Sequence, residues 1–185
     1  MKLIIIGPLL KNAQMNYKPL LWLGIVVTGL HLSSCVSNES AELDERFARN
    51  CEVIRANNAG FISENQDYSM YADDFFMVNT NLNGSPDTLR LEDLMAEDAY
   101  LWSKYDFQFL LDPVLLPGVD SETQEPNASV RYYAPMKISK AATDSSEERT
   151  VVVRMYQTFD LNEEGKITIQ MYYGDFTAAG IYLNS

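Results

Sequence analysis

The chain has 185 residues, 46% of them hydrophobic and 22% charged, with 14 Lys and Arg against 26 Asp and Glu. That apolar and aromatic content suits a packed core and excludes a collagen-like, low-complexity or disulfide-stapled design. A net charge of −12 argues against nucleic acid as a partner, because phosphates need clustered Lys and Arg.

Residues 1–34 differ from the rest: they carry Lys2, Lys11 and Lys18, no acid, and two apolar runs, Leu3 to Leu10 and Pro19 to Leu32. The second run follows Lys18 and ends in small residues, which is the layout of a secretory signal and is short for a membrane-spanning helix. Met15 is a candidate true start, since Met15-Asn16-Tyr17-Lys18 makes a compact basic opening. The run closes on Leu32-Ser33-Ser34-Cys35, which resembles the lipobox of bacterial lipoproteins. The resemblance implies lipidation of Cys35 and a short tether over residues 35–40. It also implies a place in the bacterial cell envelope, held to the outer membrane on its periplasmic or surface face, with the bilayer as a partner. A plain signal peptide whose Cys35 stays free is the alternative.

Without residues 1–34 the balance is eleven basic against 26 acidic residues, or −15. His31, the one histidine, leaves with the leader. His-based triads and His-ligated zinc or iron sites are therefore not expected, and neither a cofactor nor a metal is called for. Cys51 has no histidine to activate it and reads as a small core thiol.

From residue 41 the pattern is helical: Leu43, Phe47, Cys51 and Ile54 form one apolar stripe, ending near Asn57, Asn58 and Gly60. A second short helical stretch, roughly 61–71, leads into a strand over Phe75 to Val78, followed by a turn cluster over Asn81 to Pro86. Leu91, Leu94, Met95, Leu101 and Trp102 mark a third helix, with Glu92, Asp93, Glu97 and Asp98 expected outward. Four strands are expected next: Tyr105 to Leu111, Ser129 to Ser139, Thr150 to Phe159 and Lys166 to Tyr173. Acidic loops at Gly118 to Ala128 and Ala141 to Glu148 separate them. Asp160-Leu161-Asn162-Glu163-Glu164-Gly165 partly matches a calcium loop. Met171 stands where the bidentate Glu belongs, so a β-turn is expected. Helices segregated from strands give an α+β domain over residues 41–185.

This element order, with Tyr71-Ala72-Asp73-Asp74 entering a strand and Phe159-Asp160-x-Asn162-Glu163-Glu164-Gly165-Lys166-Ile167 near the end, resembles the nuclear transport factor 2-like superfamily. Among its members the chain looks like the secreted SnoaL-like lipoproteins of the Bacteroidetes. The resemblance implies a cone-shaped, curved antiparallel sheet packed against N-terminal helices, a pocket at the open end, and often a homodimer through the sheet's outer face. In ketosteroid isomerases of this superfamily the proton-moving carboxylate lies five positions after the second aspartate of that motif, which here is Asn79, an amide without usable basicity. The family's oxyanion-holding tyrosine has no counterpart, because residues 41–60 contain no Tyr. Asp73 and Asp74, adjacent on a strand, point to opposite faces and read as capping residues.

The pocket candidates are Asn79, Trp102, Tyr105, Tyr133, Tyr156 and Tyr173, with Tyr172 beside them; Asp106 and Asp175 are the candidate catalytic carboxylates. The leading expectation is an envelope lipoprotein that binds a small apolar or aromatic ligand without covalent chemistry. The alternatives are a SnoaL-like isomerase, cyclase or hydrolase using a pocket carboxylate, and a dimeric interaction module.

Overall fold

A computed structural model describes residues 38–78, 80, 89–144 and 146–185. The expected signal segment with Met15 and His31, the expected lipidation site Cys35, the pocket candidate Asn79 and the turn cluster expected over Asn81 to Pro86 lie outside the described residues.

Helix α1 (Asn38–Ile62) buries the stripe Asn50, Cys51, Ile54 and Asn57 on the sheet. Asn50 Nδ2 donates to the Ala128 carbonyl at 2.8 Å and fixes the helix to a strand 78 residues away in sequence. Burial raises the Cys51 thiol pKa, in keeping with an inert core position. The expected stop at Asn57 to Gly60 does not occur, because Asn57 is buried and hydrogen-bonded underneath the helix. α1 closes one turn later, with Glu64 at φ 55° and Asn65 N–H donating to the Gly60 carbonyl at 2.9 Å. The second helical stretch reduces to one 3-10 turn, Tyr68–Met70, capped by Asp67.

Six strands form one mixed sheet: β1 (Tyr71–Val78), β2 (Asp106–Phe109), β3 (Val114–Val119), β4 (Pro126–Lys140), β5 (Arg149–Leu161) and β6 (Ile167–Tyr173), in the order β1-β6-β5-β4-β2 with β3 also on β4. All pairings are antiparallel except β1 with β6, so the expected antiparallel sheet gains a parallel edge. Register shifts in β1, β3 and at the end of β5 bend the strands, and bulges of this kind curve a sheet. In β1 the irregular stretch between Tyr71 and Phe76 leaves Asp73 and Asp74 both exposed, not on opposite faces. β3 is not among the expected strands and runs into the start of the loop expected from Gly118; Gly118 is required there, because a Cβ would overlap Ser129 Oγ and the Arg131 side chain. Pro135 sits in β4 where β2 ends and β3 begins, so its missing N–H falls at the bend between two short edge strands.

Helix α2 (Leu91–Trp102) starts with Asp93 accepting from Arg90 N–H at 2.8 Å. The chain ends in an unexpected helix, α3 (Phe176–Asn184), capped by Asp175, whose side chain accepts from Ala178 N–H. The turn at Asn162 to Gly165 is a β-hairpin turn, with Gly165 at φ 78°. The inner sheet face carries Val130, Tyr132, Ala134, Met136 and Ile138 of β4 and Val153, Met155, Gln157 and Phe159 of β5, all buried.

Candidate functional site

Where α1 ends and the sheet curls away, side chains no longer meet, and a cavity of about 290 Å³ remains between α1, α2, α3 and the inner sheet face. Its walls are apolar: Phe61, Phe107, Phe109, Met136, Met155 and Phe176. Edge-to-face ring pairs hold them, Phe61 with Phe107 at 5.0 Å and Tyr172 with Phe176 at 5.3 Å between centroids.

Two amide–phenol clusters form a polar floor. Asn57 Nδ2 donates to the Tyr71 hydroxyl at 2.7 Å, and that hydroxyl donates to Gln170 Oε1 at 3.4 Å. The Tyr132 hydroxyl lies between Asn58 Oδ1 and Gln157 Oε1, which share its single proton. Burial holds the Tyr71 and Tyr132 phenols far above their ordinary pKa, so both stay protonated donors at neutral pH.

Two carboxylates come from α2. Asp98 is 5% exposed and accepts from the Tyr68 hydroxyl at 3.0 Å on Oδ2. Loss of solvation pushes its pKa up to about 6; the Tyr68 bond works against that rise and the Glu97 charge adds to it. Glu97 also has a raised pKa through burial, offset by the Tyr172 hydroxyl donating to Oε1 at 3.4 Å.

These acids correct the sequence expectation, which set Glu97 and Asp98 outward. Leu94, Asp98 and Leu101 fall four and three residues apart, so Asp98 lies on the buried stripe of α2, while Met95 is 43% exposed. The two carboxylates named from sequence lie elsewhere. Asp106 is exposed on β2, because its neighbour Phe107 takes the inward position. Asp175 is exposed and occupied in capping α3.

Of the named aromatic candidates the structure brings Tyr105 to the cavity, together with Tyr172. Trp102 stands outside the lining and donates its indole N–H to the Phe61 carbonyl at 3.1 Å, satisfying an end carbonyl of α1. Tyr133, Tyr156 and Tyr173 are exposed on the outer sheet face, since their neighbours Tyr132, Met155 and Tyr172 face inward and strand side chains alternate. They stand directly opposite one another across β4, β5 and β6, and Val114 of β3 extends the row. Tyr71, Tyr132, Asn57, Asn58, Gln157 and Gln170 were not singled out by sequence as cavity residues. Among the described residues no group of three or more His, Cys, Asp or Glu gathers as a metal site.

No family model and no curated protein matches the sequence. Solved structures do match the fold. An NTF2-like protein from Burkholderia xenovorans LB400 aligns with TM-score 0.56 at 14% identity, over 74% of this chain and 97% of the other. A putative SnoaL-like polyketide cyclase from Shewanella denitrificans OS-217 aligns with TM-score 0.53 at 9% identity, over 73% and 96%. The pinacolase BvnE from Penicillium brevicompactum aligns with TM-score 0.54 at 12% identity, over 77% and 94%. At these identities the likeness shows the fold alone: an α+β cone of the NTF2-like type.

Proposed function

We propose that this protein binds a small, flat, largely apolar molecule in the cone cavity. The supporting observation is the cavity itself: about 290 Å³, walled by rings and thioethers, with donors and acceptors grouped at its floor. A void of about 150 Å³ holds one benzene ring, so this one suits a body of about two rings. Thermal-shift and native mass-spectrometry screens against fused-ring, steroid-like and fatty molecules test the reading. An Ala179→Phe variant, which places a ring in the void, is expected to abolish any shift the parent shows.

A second reading is proton transfer on the bound molecule, as in an isomerase or cyclase. It is favoured by Asp98, a buried carboxylate in an apolar cavity whose pKa of about 6 suits acid–base work near neutrality. Tyr71 and Tyr132 supply protonated phenols from strands, where the ketosteroid isomerases use a tyrosine of the first helix. Structural neighbours named as a cyclase and a pinacolase share the frame. Turnover of an enolisable ketone that persists undiminished in Asp98→Asn would end this reading.

The setting proposed is the bacterial envelope, with Cys35 lipidated; the support is the basic leader and Leu32-Ser33-Ser34-Cys35. Labelled palmitate is expected to follow the parent and not Cys35→Ala. The exposed row Tyr133, Tyr156 and Tyr173 favours pairing of two copies through the outer sheet face. Sedimentation of a Tyr156→Glu variant as a monomer, against a dimeric parent, is the expected result.

A further inference from the structure

We infer that the molecule taken by the cavity is a cation: an aromatic or fused-ring body carrying a basic nitrogen, with its ammonium seated on Asp98 and Glu97. This rests on the binding role proposed above and adds the ligand's charge.

The first ground is the charge inventory of the lining. Asp98 and Glu97 both face the void, and no Lys, Arg or His is among the described residues that line it. The groups facing Asp98 from the neighbouring elements are Tyr68 of the 3-10 turn, Tyr71 of β1 and Glu97 of its own helix; Tyr172 of β6 faces Glu97. Each is a neutral phenol or another acid. A phenol stabilises a carboxylate by one hydrogen bond but contributes no opposite charge.

The second ground is an unused acceptor. Tyr68 takes Oδ2 of Asp98 at 3.0 Å, which leaves Oδ1 without a protein partner among the described residues and open to the void, on a residue otherwise 5% exposed; the buried unpartnered atoms of the same lining are both ends of the Gln66 amide. Buried carboxylates in stable proteins are paired or fully hydrogen-bonded, because an uncompensated buried charge is costly. An ammonium supplies both the charge and the N–H donors. A neutral ligand leaves the deficit in place, and an anion enlarges it. Burial is the main cause that raises the pKa of both acids, with no cation in the lining to oppose it.

The third ground is independent of the acids. Phe61, Phe107, Phe109, Tyr105, Tyr172 and Phe176 surround the same void, and ring faces attract cations through their quadrupole. Such a surround favours a desolvated ammonium and also packs the apolar body that carries it.

The test titrates the full chain, in detergent, with three probes of one shape: naphthylmethylamine, naphthylmethanol and naphthoate. At about pH 7.5 the amine is expected to bind about tenfold or more tighter than the alcohol, with the carboxylate weakest. Asp98→Asn, which keeps the side-chain shape, is expected to bring the amine down to the alcohol's affinity and leave the alcohol within about threefold. Lowering the pH to about 5 is expected to weaken the amine and not the alcohol, as Asp98 takes a proton. An alcohol that binds as well as the amine overturns the inference while leaving the binding role intact. So does an amine preference that survives both Asp98→Asn and Glu97→Gln. Failure of all three probes overturns the inference and counts against the binding role as well.

Discussion

The two ends of the cone are built from the same elements and finish differently. At the closed end Ile54, Val130, Phe159 and Ile167 are 0% exposed, apolar side chains filling the space between α1 and the sheet. Further along the same helix and the same strands stand Asn57, Asn58, Tyr132 and Gln157, and there the void opens. The apolar periodicity of α1 and β4 runs through both ends, so burial pattern alone does not separate core from site. What separates them is side-chain chemistry. At the open end amides and phenols hold one another at hydrogen-bond distance, and that spacing keeps the rings apart.

The largest difference is expected from equal truncations at the two ends. Phe159→Ala opens a cavity in closed packing and is expected to cost about 3–5 kcal/mol of unfolding free energy. Phe176→Ala removes a half-buried ring that already borders a void and is expected to cost about 1–2 kcal/mol. Urea denaturation of both variants measures the gap; equal costs would mean that the open end is packed as tightly as the closed one.

A second contrast is electrostatic. The Asp98 carboxyl has a folded pKa of about 6 against an ordinary value of 3.8. Between those two values the unfolded chain has released a proton that the folded chain still holds, so stability falls as pH rises from about 4 to about 6 and is level above. The loss is on the order of 3 kcal/mol at most, at 1.36 kcal/mol for each pKa unit. Asp98→Asn is expected to remove this slope and to be about 1–3 kcal/mol more stable than the parent at pH 8, with no gain near pH 4. Elsewhere on the sheet a carboxylate does have a cation beside it, in the ion pair Arg131–Asp160. Its Nη1 and Oδ1 are 2.9 Å apart, but the approach is off the line of a hydrogen bond, and Arg131 donates instead to the carbonyls of Val130 and Phe159.

The floor of the cavity gives a third. Tyr132→Phe deletes one hydroxyl and leaves acceptors of Asn58 and Gln157 without their donor, which is expected to cost about 1–2 kcal/mol. The double variant with Gln157→Leu is expected to recover part of that loss, because it removes a stranded acceptor as well. Equilibrium unfolding of the double-mutant cycle reads the coupling.

The sheet was legible in the sequence because its strands alternate cleanly: Val151, Val153 and Met155 against Val152, Arg154 and Tyr156 carry period two without interruption. β3 was hidden by Pro117 and Gly118, which punctuate like a loop although the chain stays paired around them. α3 was hidden by its composition: Phe176 to Ile181 has no polar face to mark a helix, and Gly180 lowers its propensity. The site was harder than the fold. Tyr172 and Tyr173 are chemically alike and differ by one step of strand phase, so the choice between cavity and outer face depended on a register that neighbouring strands set. Asp98 was misplaced for a related reason. Charge argues for solvent, whereas its position between Leu94 and Leu101 argues for burial, and position prevailed because Tyr68, distant in sequence, supplies a hydrogen bond there.

The smallest expected effect is kinetic. α3 closes one side of the cavity with Phe176, Ala179, Gly180 and Leu183, and its last turn is fastened from outside. Asn184 Nδ2 donates to the Tyr105 hydroxyl at 2.7 Å, Lys140 Nζ donates to Asn184 Oδ1 at 2.8 Å, and Arg149 donates to the Tyr182 carbonyl at 2.7 Å. These bonds are exposed, so losing one costs less than about 1 kcal/mol. Tyr105→Phe removes one fastening and keeps the ring that lines the void. Amide hydrogen exchange in α3 is therefore expected to quicken by about threefold, with α1 and β5 unchanged, since local opening of α3 needs no disturbance at the closed end. Uniform quickening across all three would mean that the two ends open as one unit, and that the cavity is reached by global unfolding instead of by movement of its last helix.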